Sequence, residues 1–147
     1  MLSDLKIDID GIRLNIRVGV IMKNGDDVVI EVSNIGANSV IPGGRIKINE
    51  SSINALKREV LEEMDFNIDI ARAKQIKTFE NFFTMDNKKV HEIYFLYEYN
   101  LNKEELNHIN SLVNNKDNDT TYFKLVNKFD IKNYNLLPLD LYPFIQK

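Results

Sequence analysis

A chain of 147 residues with 44% hydrophobic and 28% charged residues has the length and apolar content for one packed domain, expected to span residues 1–147. A formal net charge of −3 supplies no general cationic field, so extended nucleic acid is not an expected partner and any phosphate must be held locally. The absence of Cys excludes disulfides, thiolate zinc sites and thiol nucleophiles, and with only His91 and His108 present, carboxylates must carry any acid–base or metal chemistry.

The start, Met1 to Lys6, mixes charged with apolar residues and lacks the pattern of a secretory leader, and no apolar run approaches the ~18 residues of a membrane span. A cytoplasmic protein without membrane contact is therefore expected. From Ile12 to Met22 every second residue is apolar, the period of a strand with one buried face. The cluster Asn24-Gly25-Asp26-Asp27 then turns the chain into Val28–Val32, which predicts an antiparallel hairpin. Val40-Ile41-Pro42-Gly43-Gly44-Arg45 interrupts any regular ladder and permits close approach of backbone to a ligand.

Ser51 or Ser52 is placed to cap a helix running to about Met64, with Ile53, Leu56, Val60 and Met64 in one stripe. Further strands are predicted over Ile68–Phe83, bent or broken, and over Val90–Tyr99, joined by the turn Asp86–Lys89. Lys103–Val113 reads as a short helix, Asn114–Asp119 as a polar loop, Tyr122–Val126 as a strand and Leu139–Gln146 as a closing helix. Strands flanking an internal helix and closed by another predict an α/β or α+β sandwich.

On the predicted helix, Glu59, Glu62 and Glu63 are spaced i, i+3 and i+4 and share a face, a hard-oxygen cluster suited to Mg²⁺ or Mn²⁺ and equally compatible with a solvated helix face. Arg58 is placed to neutralise part of that cluster or to tie Glu50 in the preceding loop to the helix.

Gly44, five residues, Glu50, seven residues, then Arg58-Glu59-Val60-Leu61-Glu62-Glu63-Met64-Asp65-Phe66 resembles the Nudix box. That box reads Gly, five residues, Glu, seven residues, Arg-Glu-aliphatic-x-Glu-Glu-x-Gly-aliphatic, and the departure is Asp65 in place of Gly. Asp is among the few other residues that enter positive φ readily, so a tolerated helix cap is expected there. Pro42-Gly43 before the box, and Tyr122–Leu125 and Leu137-Pro138-Leu139 after it, also look like the family.

The resemblance implies a MutT-like Nudix fold, an α/β/α sandwich with a mixed sheet, and a metal-dependent pyrophosphohydrolase cleaving a nucleoside diphosphate linked to another moiety. The expected products are a nucleoside monophosphate and a phosphorylated partner. It implies catalytic Arg58, Glu59, Glu62 and Glu63, with Glu59, Glu62, Glu63 and the Gly43 carbonyl holding Mg²⁺ or Mn²⁺. Asp117, Asp119 or Glu92 is available to complete the metal site. Arg45 is a candidate phosphate contact, and Phe82 and Phe83 are candidates to stack a base. His91, on one strand face with Ile93, Phe95 and Tyr97, is read as a packed structural residue.

Nucleoside triphosphates and dinucleoside polyphosphates are the favoured substrates, since the ADP-ribose and coenzyme A signatures of the family are missing. A homodimer is an allowed assembly. The runner-up reading is a Nudix-like module that binds a nucleotide without cleaving it; the isomerase branch of the fold needs a catalytic Cys, which this chain lacks.

Overall fold

The computed structural model describes residues 2–147. Its strands are β1 (Lys6–Ile9), β2 (Ile12–Asn24), β3 (Asp27–Ser33), β4 (Ser39–Val40), β5 (Gly43–Arg45), β6 (Lys74–Met85), β7 (Lys88–Asn100) and β8 (Thr121–Asn127), and its helices α1 (Ser52–Met64), α2 (Lys103–Ser111) and α3 (Tyr142–Ile145). Short 3₁₀ turns cover Ile131–Tyr134 and Leu139–Leu141.

Strand β2 organises the sheet. One edge runs parallel to β7 from Arg13↔Val90 to Lys23↔Asn100. The other edge meets β1, β5 and β3 in succession, all antiparallel. The predicted β2–β3 hairpin forms only at its turn, at Lys23↔Val28 and Asn24↔Asp27. Beyond that the strands part, because the segment after Pro42 takes β3's place against β2: Val20 N–H donates to the Pro42 carbonyl and β5 pairs with Arg17–Gly19. Strand β3 pairs instead with β8 over its whole length. The site lies where β2 and β3 diverge.

The even residues of β2 obey the alternation. Val18, Val20 and Met22 are buried with Ala55, Leu56, Val60 and Met64 of α1 and Ile109 of α2. Each such apolar side chain contributes roughly 1.5–3 kcal/mol by leaving water. The opposite face, with Ile21, Ile30, Tyr94 and Leu96, is covered by Ile131, Leu136, Leu141 and Ile145 from the C-terminal turns and α3. Helical layers therefore lie on both faces of a mixed sheet, the expected sandwich. No helix among the described residues is long and apolar enough to cross a membrane.

Three expectations change. The strand predicted from Ile68 begins at Lys74, since Ile68 is a buried anchor and the chain turns at Asp69–Arg72, where the Arg72 N–H donates to the Asp69 carbonyl. The turn between β6 and β7 is the pair Asp86-Asn87, both at positive φ, so each strand extends two residues closer to the turn than expected. The closing helix is a 3₁₀ turn followed by one α-turn carrying Pro143 near its start. The short strands β1, β4 and β5 were not expected; a run of two to four residues leaves little period to read.

Candidate active site

Helix α1 begins where the Ser51 hydroxyl accepts the Asn54 N–H and ends at Asp65, whose φ of 53° and N–H donated to the Leu61 carbonyl form the anticipated left-handed cap. Thirteen residues between these caps fix which side chains turn away from the core. Arg58 is the strut of that outer face. Its Nε and Nη2 donate to the two carboxylate oxygens of Glu50 at 2.7 and 2.9 Å, its Nη1 to Glu59 at 2.8 Å and to Glu62 at 3.4 Å, and Nη2 also to the Arg45 carbonyl at 3.0 Å. Loop, strand β5 and helix are thereby locked together, as the Glu50–Arg58 pairing anticipated. The Arg58 guanidinium holds the Glu50 carboxyl below the usual carboxylate range.

The paired glycines fit this lock. Gly43 has φ 156°, and a Cβ there would strike the Val18 carbonyl; a Cβ on Gly44 would strike the Glu59 carboxylate. Glu59 thus lies directly over the loop backbone.

Glu63 is buried at 8% exposure. One of its oxygens accepts from Asn115 Nδ2 at 3.1 Å, and the same amide nitrogen donates to Glu31 at 2.6 Å. The Glu31 oxygen also accepts the Thr121 hydroxyl at 2.6 Å. The other Glu63 oxygen, Oε1, is buried and accepts no hydrogen bond among the described residues. Burial first, then the neighbouring charges of Glu31 and Glu59, push the Glu63 carboxyl up to about 8. Burial likewise raises Glu59, against the pull of Arg58.

A polar cleft of about 500 Å³ is lined by Glu31, Glu59, Glu63, Gly43 and Gly44 and also by Arg17 and Arg45. Asp117 reaches its rim, but Asp119 does not line it. Of the expected acidic set, Glu59 and Glu63 line the cleft, while Glu62 stands on the exposed side of α1 with a 44% exposed side chain. Glu92 is not a rim acid: it is buried at 4% exposure, where Asn15 and Asn81 donate to it at 2.5 and 3.4 Å.

The structure separates Phe82 and Phe83 from the acids. They line a second pocket of about 340 Å³ with Ile12, Val90 and His91, at the far tip of the β6–β7 hairpin. Phe82 packs on the His91 ring at 4.5 Å, and His91 pairs with Glu80. In-register pairing sets Phe82↔His91 three positions along the ladder from the Arg17↔Tyr94 row beside the cleft. A base-stacking role for these two rings at the cleft is therefore corrected. His108 instead holds the end of α1, with Nε2 2.7 Å from the Met64 carbonyl.

Sequence reading missed Glu31, Asn115, Arg17 and Asn15. Glu31 carried a signal: a carboxylate on the same strand face as Val29, which points into the core.

The NUDIX domain model matches residues 13–139. The chain belongs to the Nudix family. Its fold is similar to that of MutT from Bacillus halodurans, with a TM-score of 0.68 at 16% identity over 90% of this chain and 80% of that one. It is also similar to MutT from Methanosarcina mazei Go1 (0.62, 18% identity, 95% and 94%) and to a C. elegans Ap4A hydrolase in a binary complex (0.62, 14%, 90% and 93%). No curated protein sequence matches it. Its fold is that of a MutT-like Nudix protein.

Nudix hydrolases generally use divalent metals. Among the described residues no three His, Asp or Glu side chains are gathered tightly enough to hold an ion unaided. The donor chemistry nonetheless fits one: the buried Oε1 of Glu63 lacks a partner, two further carboxylates raise its proton affinity, and all the donors are hard oxygens.

Proposed function

We propose that this protein is a metal-dependent pyrophosphohydrolase that cleaves a nucleoside diphosphate linked to another moiety, a nucleoside triphosphate or dinucleoside polyphosphate, releasing a nucleoside monophosphate. The observation that carries this reading is the unpartnered, buried Oε1 of Glu63 in a cleft that is also lined by two arginines. Glu59, Glu63 and the Gly43 carbonyl would hold Mg²⁺ or Mn²⁺, with Glu62, on the exposed side of α1, the outermost of the set. When bound, such a cation neutralises the carboxylates, polarises phosphate oxygens and acidifies water.

The chain's own groups do the rest. Arg45 binds a substrate phosphate, and Arg58 fixes Glu59 through one carboxylate oxygen, Oε1. Oε2 of Glu59 is left to take a proton from the attacking water, a role that its raised proton affinity suits. With no Cys in the chain, water is the expected nucleophile.

A panel of nucleoside triphosphates and dinucleoside polyphosphates, assayed with Mg²⁺ or Mn²⁺ in ¹⁸O-water, tests the reading. The expected result is a nucleoside monophosphate with one labelled phosphate group among the two products. Orthophosphate and a nucleoside diphosphate as the products from a triphosphate would overturn it. So would full turnover in excess chelator.

A further inference from the structure

The chain has five arginines, and three of them are in ion pairs: Arg13 with Asp8, Arg58 with Glu50, and Arg72 with Glu105. Neither Arg17 nor Arg45 has a carboxylate within 4.0 Å among the described residues. These two stand opposite one another, Arg17 of β2 in register with Arg45 of β5, and both line the cleft. Like charges directly opposed across antiparallel strands destabilise a sheet. A half-buried pair with no carboxylate in ion-pair contact suits an anion supplied from outside the chain.

The surroundings hold this pair in place. Arg45 Nε donates to Asn15 Oδ1 at 2.8 Å, Asn15 Nδ2 donates to Glu92 Oε2 at 2.5 Å, and Asn81 Nδ2 donates to the other Glu92 oxygen at 3.4 Å. Asn15, Glu92 and Asn81 are one in-register row across β2, β7 and β6, immediately beside the row Arg17, Tyr94 and Phe79. Asn15 and Glu92 are 3% and 4% exposed, so the relay is internal and its geometry is set by packing. Tyr94 is equally buried, stacked on Phe79 at 4.9 Å, with its hydroxyl filling the space that a side chain at position 19 would occupy; Gly19 admits the ring. Arg17 lies against that hydroxyl.

We infer that Arg17 and Arg45 form a two-guanidinium clasp for the diphosphate of the substrate, Arg17 as a direct contact, and that Asn15, Glu92 and Asn81 act as positioning residues that aim Arg45. This rests on the cleft being the substrate site. Each guanidinium presents a planar fork of N–H donors matched to phosphate oxygens. The cleft thus holds both cation-seeking carboxylates and anion-seeking guanidinium groups. Selectivity for two linked phosphates over one follows from two forks held side by side.

Isothermal titration of the full chain with inorganic pyrophosphate and, separately, inorganic phosphate, in the presence of Mg²⁺, is the test. Pyrophosphate is expected to bind at least ~10-fold more tightly than phosphate, with Arg17→Gln losing ~10-fold or more and Arg17→Lys losing less. Asn15→Leu should weaken pyrophosphate several-fold, and its effect should largely vanish in an Arg45→Gln background, because it acts through Arg45. In steady state, Asn15→Leu should raise KM with kcat little changed, a split that a general loss of structure would not give. Circular dichroism checks each fold; if Arg17→Gln does not fold, Arg17→Lys and Asn15→Leu decide.

A folded Arg17→Gln that binds pyrophosphate as the parent does would overturn the clasp, as would additive Asn15 and Arg45 effects or a parent that binds no pyrophosphate. Arg17-dependent pyrophosphate binding by a parent that hydrolyses no nucleotide would leave the clasp standing and remove the proposed reaction. Normal hydrolysis with Arg17-independent binding would do the reverse.

Discussion

In the cleft Glu59 and Glu63 come from successive turns of a single helix, whereas Arg17 and Arg45, with the buried Asn15 and Glu92 behind Arg45, come from three strands, with Asn15 and Glu92 separated by 77 positions. The acidic set is local: a 3.6-residue period and one strut, Arg58, suffice to place it. The basic set is assembled only by strand register. Each set also carries a different electrostatic load, since burial and mutual repulsion raise the acids' proton affinity while the two arginines oppose one another without a carboxylate partner. A site can thus be half written in a contiguous motif and half in topology.

The sharpest way to break this comparison is at Glu63. Glu63→Gln should lower turnover by at least ~10²-fold, since a buried oxygen charge is lost where cation chemistry is proposed. Folding should survive, with a higher melting temperature in chelator because repulsion from Glu31 and Glu59 is relieved. Glu62→Gln, on the exposed side of α1, should cost less. Equal losses at both positions would show that burial does not rank the acids.

The same group predicts a pH dependence in chelator. A carboxyl with its pKa raised from 4.5 to about 8 in the fold binds a proton there that the unfolded chain has already released. Stability from this group is therefore fully present below about 4.5 and is lost as pH rises toward about 8, no more steeply than ~1.4 kcal/mol per pH unit. Urea titrations at intervals across that window should show the decline in the parent and a flatter profile in Glu63→Gln. An identical slope in both would assign the proton elsewhere.

Arg58 tests the strut. Arg58→Gln leaves Glu50, whose side chain is 17% exposed, without its bidentate partner and frees Glu59. A loss of about 1–3 kcal/mol is expected from the urea midpoint, tempered by partial solvent access. Arg58→Lys should recover only part of it, since an ammonium cannot span both Glu50 oxygens and the Arg45 carbonyl at once. Full recovery by Lys would mean that charge alone matters.

Legibility in the sequence followed the same division. The helix, its Ser51 cap, the Glu50–Arg58 pair and the fold class were readable because their determinants are near neighbours in the chain. Strand β2 was found from its even residues, but its odd residues Asn15 and Arg17 look like a solvated face when read alone. Only the parallel pairing with β7, which buries Asn15 against Glu92, reveals them as part of a site. Phe82 and Phe83 differ in the opposite sense: they follow the box closely in sequence, yet they line a separate pocket with Ile12 and His91 and not the cleft.

The smallest expected effect lies at the end of the acidic helix. Asp65 has φ 53° and ψ 41°, a left-handed conformation that Gly adopts without a Cβ penalty and that other residues adopt at some cost. Its carboxylate accepts no hydrogen bond among the described residues and stands at a helix C-terminus, where the aligned peptide dipoles disfavour negative charge. Both effects favour Asp65→Gly, while the added freedom of the unfolded chain opposes it. The balance should be a gain of a few tenths up to ~1 kcal/mol in the urea midpoint. Asp65→Asn separates the contributions, since it keeps a residue tolerant of this conformation and removes only the charge; it should recover part of the gain, and more at low salt than at high. A clear destabilisation by Gly would show that the Asp65 carboxylate makes a stabilising contact in solution, and the sequence departure at this position would then be an adaptation of the helix end rather than a tolerated substitution.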